Sequence, residues 1–268
     1  MRPRGAGSEI APGYAVVAHL ARSRTFDVYD AWSEQRRCRC VVKTLRPDRR
    51  RDADARRRLA RESRLLTQLC HPSIVRGYEA LRQPHPLVAM ETLGGETLAH
   101  LIERRRLTAV ELAFLGLQLS SAIGYLHAAG VVHLDLKPSN VIAENGRAKL
   151  IDLSIARPPG RARPGIGTWC FMAPEQARGG LVGPAADVWG LGIVLYAAAL
   201  GDTPFAQGGH EHEYPQLHAR APTVRNERAR LPRDLSSAID ACLDPEPAAR
   251  PSIATLRAKL ESVAGARG

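Results

Sequence analysis

Residues Val131 to Ser154 read VVHLDLKPSNVIAENGRAKLIDLS, and this stretch decides how the rest of the chain is understood. Asn145-Gly146 is a strong hairpin signal, because both central positions of a tight two-residue turn need the left-handed backbone that Asn and Gly tolerate. The pair lies between two alternating apolar runs, Val141 to Glu144 and Arg147 to Ile151. Counting outward from the turn sets Glu144 against Arg147, Val141 against Leu150 and Asn140 against Ile151. Asn140 and Asp152 are then expected to meet at the open end. One amide oxygen and one carboxylate form a hard, oxygen-rich pair of the kind Mg²⁺ prefers when phosphates complete its shell. Asp135, in the loop just before, adds a carboxylate, and Lys137 follows two positions on. Each residue alone is ordinary turn chemistry. Their joint order is not.

The chain around this stretch has 268 residues, 44% of them apolar, enough to bury one large domain or two small lobes and to exclude full disorder. Its 38 basic and 27 acidic residues leave a net charge of +11, which would suit nucleic acid or an anionic surface if it were focused. Instead the arginines cluster at Arg49 to Arg51, Arg56 to Arg58 and Arg104 to Arg106, without interleaved aromatics or zinc-finger spacing, so no specific nucleic-acid partner is expected. Five cysteines, odd in number and without C-x-x-C spacing, read as buried thiols in a reducing compartment. The longest apolar stretch, Gly190 to Leu200, is about half of what a bilayer needs, and no apolar run precedes a cleavage site. A soluble cytoplasmic protein with no membrane span is the expectation.

After a flexible leader over 1–13, the stretch Tyr14 to Leu45 holds β-rich runs that suggest an antiparallel meander. A helix is predicted over Asp54 to Leu69, with Ala55, Leu59, Leu66 and Leu69 on its apolar face. Glu62 falls on that same face, so it needs a rim position or a cationic partner. A further hairpin spans about Ile74 to Met90, and the pattern changes near Gly94-Gly95. Beyond it, Thr108 to Glu111 form a capping box that opens a long helix toward Ala129, with Gly130 as its stop. Helices over Pro184 to Leu200, Leu235 to Cys242 and Ile253 to Val263 complete an α+β chain: a small β-rich lobe with one main helix, then a larger, mainly helical lobe.

The order H-x-D-x-x-x-x-N, a hairpin and then Asp152-Leu-Ser resembles the catalytic loop and metal-binding segment of protein kinases, and among them the bacterial serine/threonine type. Val41-Val-Lys43 resembles the strand whose lysine grips the α and β phosphates of ATP, and Glu62 the glutamate that pairs with it. Met90-Glu91-Thr92 resembles the gatekeeper and hinge, Ala173-Pro174-Glu175 the end of the activation segment, and Arg250 the arginine that pairs with that glutamate. The resemblance implies a two-lobed, protein-kinase-like domain over 14–268: an N-lobe over about 14–91, a hinge over about 91–95 and a C-lobe over about 96–264. It implies Asp135 and Lys137 as catalytic, Asn140 and Asp152 as Mg²⁺ ligands, Val28, Val41, Met90 and Ile142 around adenine, and Thr168 as substrate-positioning. The implied substrate is a protein with a Ser or Thr acceptor. Lysine usage supports this: only Lys43, Lys137, Lys149 and Lys259 are not arginine among the 38 basic residues. Both motif positions would be lysine by chance about one time in a hundred, and a compact ammonium is what they require.

Four departures stand out. Ala21, Ser23 and Phe26 occupy the positions of the three glycines whose backbone N–H groups usually reach the phosphates, so looser nucleotide grip is expected, with Arg22 or Arg24 as candidate side-chain substitutes. Glycine at Phe26 would improve that grip if the ring crowds the phosphate path. Leu134 replaces the arginine of H-R-D, and Ser154 the glycine of D-F-G. Between Ser154 and Thr168 the segment IARPPGRARPGIG offers no hydroxyl to phosphorylate. The resemblance therefore points first to an active kinase and second to a pseudokinase that binds nucleotide or scaffolds.

Overall fold

In the first of two units the β-rich runs become one antiparallel sheet. Its strands are β1 (Glu9–Ala11), β2 (Tyr14–Arg22), β3 (Phe26–Ser33), β4 (Cys38–Leu45), β5 (Gly77–Leu81) and β6 (Leu87–Met90), in the spatial order β1-β2-β3-β4-β6-β5. The computed structural model describes residues 2–82, 85–205 and 214–265. It divides into a unit of Met1–Gly94 with Asp152–Ser154 and a unit of Gly95–Ile151 with Ile155–Gly268.

Helix α1 (Ala53–Gln68) packs on β4, β5 and β6 and opens at Asp52, whose carboxylate accepts from the Asp54 and Ala55 amides. Ala55, Leu59, Leu65 and Leu66 are buried along it, and so is Glu62. Ile10 and Ala11 join Tyr14, Val16, Tyr29 and Val42 in the core of the sheet. The expected leader is thus corrected: β1 pairs with β2, because its apolar side chains complete a core that β2 alone would leave open.

In chain order the second unit contains β7 (Glu96–Thr97), α2 (Leu98–Arg104), α3 (Ala109–Ala128), β8 (Val141–Glu144), β9 (Arg147–Leu150), β10 (Gly160–Ala162), α4 (Pro174–Arg178), β11 (Gly180–Val182), α5 (Pro184–Leu200), α6 (Val224–Glu227), α7 (Arg233–Cys242) and α8 (Ile253–Gly265). Apart from Asp187 near its start, helix α5 is apolar all round and buried from Ala186 to Leu200, so it is the central element, packed by α3 and α7. Helix α3 starts at the reciprocal Thr108–Glu111 capping box. It has the length and apolar character of a membrane span although Glu111, Gln118 and His127 interrupt its apolar run, and half of that stretch is buried inside the protein.

Hairpin β8–β9 has the register read from the turn: Glu144 opposite Arg147 and Val141 opposite Leu150, with the Ile151 amide donating to the Asn140 carbonyl at 3.1 Å. Asn145 and Gly146 carry φ of 48° and 75°. Strand pairs β7–β8 and β10–β11 have too few residues to show a period of two in sequence. The cysteine expectation needs correction as well. Cys40 and Cys242 are buried, but Cys70 is exposed, since the helix ends before it.

Candidate active site

Strand alternation places Phe26, Val28, Val41, Lys43 and Met90 on one face of the first unit, because Val28 lies opposite Lys43 and Val41 opposite Met90. The Lys43 ammonium, at 5% exposure, lies 2.9 Å from the Glu62 carboxylate and 3.2 Å from Asp152 Oδ1. The Leu153 amide donates to Glu62 at 3.3 Å, and the Ser154 amide to Asp152 Oδ1 at 2.8 Å. Glu62 has found its cation.

One ammonium faces two carboxylates, and the three groups divide the protons by hydration. Burial tends to lower the Lys43 pKa, but the two carboxylates outweigh it and leave Lys43 raised. Burial pushes Glu62 up to about 7 against the pull of Lys43. Asp152, which burial would also raise, is held well below the usual carboxylate range by Lys43 and the Ser154 N–H. Asp152 is therefore the firmly ionised carboxylate, and Glu62 the one that accepts a proton first.

The turn between β2 and β3 is closed by its own side chains. Ser23 Oγ accepts from the Phe26 amide at 2.8 Å and from the Thr25 amide at 3.2 Å, while the Ser23 amide donates to the Phe26 carbonyl at 2.9 Å. Arg22 forks onto buried Asp27 directly across the strands, at 2.7 and 2.9 Å, and His19 lies 3.3 Å from the same carboxylate. Arg22 thus braces the hairpin. Phe26 is buried, and the Lys43 ammonium lies 4.8 Å from its ring centroid, a cation–π contact.

In the second unit Asp187, at the start of α5, accepts from the backbone amides of His133 and Leu134 and pairs with His127 Nε2, each at 2.8 Å. This fixes the loop that carries Asp135. Thr168 donates its hydroxyl proton to Asp135 Oδ1 at 2.6 Å, and the Lys137 ammonium donates to Thr168 Oγ1 at 2.8 Å. Lys137 also lies 3.1 Å from Asp135 Oδ2. Asn140 donates its amide protons to Asp135, at 2.9 Å to the carbonyl and 3.3 Å to the carboxylate. Arg250 forks onto Glu175 at 2.7 and 2.9 Å, behind the activation segment.

Taken separately, Asn140 in the second unit and Asp152 in the first each present an oxygen of the kind a hard cation prefers. Asn140 spends its NH₂ on Asp135 and keeps Oδ1 for a ligand. Asp152 takes its hydrogen bonds on Oδ1 and is ionised.

Lys43, Glu62 and Asp152 come together in the first unit, as do Val28, Val41 and Met90 on their shared face. Glu91 follows β6, donating its amide to the Arg76 carbonyl and accepting from the Arg76 amide, and Thr92 is exposed. Asp135, Lys137, Asn140 and Thr168 come together in the second unit, where Ile142 lies on β8 opposite Lys149. Sequence reasoning missed the Arg22–Asp27 brace, whose signal was opposite charges flanking a short turn. It also gave no sign of Gln176, whose buried amide donates to the Leu134 and Ile166 carbonyls.

The protein kinase domain model matches residues 14–260, so this chain belongs to that family. It is 36% identical over 235 residues to the serine/threonine-protein kinase PkaA of Streptomyces coelicolor, covering 84% of this chain and 43% of that one. It is 34% identical over 230 residues to the probable serine/threonine-protein kinase PkwA of Thermomonospora curvata, covering 83% and 30%. The chain spans less than half the length of these curated relatives. The crystal structure of the Mycobacterium tuberculosis PknI kinase domain superposes with a TM-score of 0.78 at 24% identity, covering 98% of this chain and 100% of that one, and establishes the two-lobed kinase fold.

Proposed function

We propose that this domain transfers the γ-phosphoryl group of ATP to serine or threonine hydroxyls of protein substrates. The observation that carries the reading is the Asp135 carboxylate, which accepts an alcohol proton at 2.6 Å with an ammonium beside it: the grip on Thr168 is the one an acceptor hydroxyl needs. Asp135 orients the substrate hydroxyl and accepts its proton, and Lys137 offsets negative charge on the transferring group. Lys43, held by Glu62, positions the α and β phosphates. Asn140 and Asp152 hold Mg²⁺, which neutralises phosphate charge when bound. Val28, Val41, Met90 and Ile142 flank adenine, and the backbone at Glu91 and Thr92 bonds its edge. The curated relatives' names support Ser/Thr acceptors, and an odd number of cysteines without C-x-x-C spacing supports a reducing, cytoplasmic setting.

Radiolabelled ATP with Mg²⁺ and a generic basic protein, run beside Asp135→Asn, tests the reading. Label transfer by the wild type alone is expected. No incorporation by the wild type above the Asp135→Asn background would overturn it and leave a nucleotide-binding module.

A further inference from the structure

Gln176 lies in α4 directly after Ala173-Pro174-Glu175 and is 2% exposed. Its amide is spent wholly inside the second unit. Nε2 donates to the Leu134 carbonyl at 2.8 Å and to the Ile166 carbonyl at 2.7 Å, and Oε1 accepts from the Ala173 amide at 3.0 Å. The two carbonyls belong to different stretches of chain. Leu134 immediately precedes Asp135, and Ile166 lies two residues before Thr168.

Both stretches are conformations that must be held. Leu134 has φ of 65°, a left-handed backbone that a branched side chain avoids. Asp187 grips its N–H at 2.8 Å, and Gln176 grips its carbonyl. Gly167 has φ of 125°, and a Cβ there would lie 3.0 Å from both Gln176 Nε2 and the Leu134 oxygen, so only glycine leaves the contact intact. Buried Gln216 holds the next turn of the same segment, donating to the carbonyls of Trp169 at 3.0 Å and Met172 at 3.1 Å. One amide thus sets the residues leading into Asp135 and Thr168, whose side chains meet at 2.6 Å.

Kinases switched by loop phosphorylation assemble these stretches with a phosphate drawn to the catalytic-loop arginine. Here Leu134 replaces the arginine, and no hydroxyl lies between Ser154 and Thr168. We propose that Gln176 is a positioning residue whose neutral amide permanently ties the catalytic loop to the activation segment, in place of a phosphate–arginine contact. The proposal rests on the phosphoryl-transfer reading above. An uncharged, buried tie is indifferent to phosphatase and to salt.

Gln176→Met keeps side-chain length but removes both donors and the acceptor. Expected is a fall in kcat of about 10- to 100-fold with ATP affinity held within about twofold, because Lys43, Glu62 and Asp152 belong to the first unit and Gln176 does not touch Asn140. The same variant reports on the tie without catalysis. Arg157 and Arg163 both precede proline, so Arg161-Ala162 is the bond in this segment open to trypsin, and cleavage there should quicken about tenfold. Gly167→Ala presses on the same contact from the other side and should reproduce both effects, the double variant being no worse than the poorer single. Phosphatase treatment of the wild type should leave its rate unchanged.

Near-normal kcat in Gln176→Met overturns the proposal. So does a parallel loss of kcat and ATP affinity with a lowered melting temperature and no selective cut at Arg161. Additive defects in the double variant, or a large activity loss on dephosphorylation, do the same. Should Gln176→Met fail to fold, Gly167→Ala and the phosphatase arm decide. A wild type that transfers no phosphate defeats the functional reading instead, and cleavage at Arg161 still reads the tie.

Discussion

In the first unit the turn joining β2 to β3 spends its backbone donors on its own side chain, whereas in the second unit the loop from His133 to Asn140 spends its surroundings on presenting one carboxylate. Ser23 Oγ takes the Thr25 and Phe26 amides, which are thereby withdrawn from any phosphate. Asp187 and Asn140 do the reverse around Asp135: they absorb backbone and side-chain polarity so that an acceptor oxygen meets a hydroxyl at 2.6 Å. The difference is one of chemistry. Where the family relies on bare backbone, this chain has substituted side chains; around Asp135 it keeps Lys137 and Asn140 and gives up the arginine, which Leu134 replaces.

The strongest way to break that comparison is at Asp135. Asp135→Asn is expected to cut phosphoryl transfer by about 100-fold or more with ATP binding preserved. Asp152→Asn should weaken the Mg²⁺ dependence of binding itself, and calorimetric titration of both variants separates the roles. Identical binding defects would erase the distinction between the two regions.

Lys43→Arg comes next, with an expected loss of about tenfold or more in turnover. The ammonium lies between Glu62, Asp152 and the Phe26 ring, and a planar guanidinium cannot point one charge at all three. Near-normal rates would mean that the lysine there is incidental.

The turn offers a sharper contrast at smaller amplitude. Ser23→Gly frees two amides and is expected to raise ATP affinity by a few-fold, about 1 kcal/mol. Phe26→Gly should not. It removes a buried ring that rests on Lys43, so about 3 kcal/mol of stability is lost without any gain in affinity. Chemical denaturation beside nucleotide titration measures both, and tighter binding in Phe26→Gly would show that the ring blocks the phosphates.

The smallest effect is one of pH. Glu62 is raised from 4.5 to about 7, so across that window the folded state holds a proton that the unfolded chain has released. Stability contributed by this group therefore falls as pH rises through the window. Asp152 is shifted downward, and its contribution is lost only as pH falls below the ordinary carboxylate range. Thermal melts from pH 4.5 to 7 should show a slope that Glu62→Gln removes. A slope unchanged by the substitution would assign it elsewhere.

The sequence alone determined what depends on neighbours in the chain. The β8–β9 register follows from a turn that only Asn-Gly chemistry favours and from a side-chain period of two. The start of α3 follows from a four-residue capping box, and the buried α5 from its apolar run Gly190 to Leu200. The motif order and the scarcity of lysine marked Lys43, Lys137, Asp135, Asn140 and Asp152. What only the tertiary structure decided are the partners. Glu62 meets the Leu153 amide across 91 positions of sequence, and Gln176 reaches Leu134 across 42. A single buried amide leaves no periodic trace, because its hydrogen bonds depend on which distant carbonyls folding brings within about 3 Å of it. The leader became a strand for a related reason: Ile10 and Ala11 make too short an apolar run to show a period, and their value is set by the open edge of a core that other strands build.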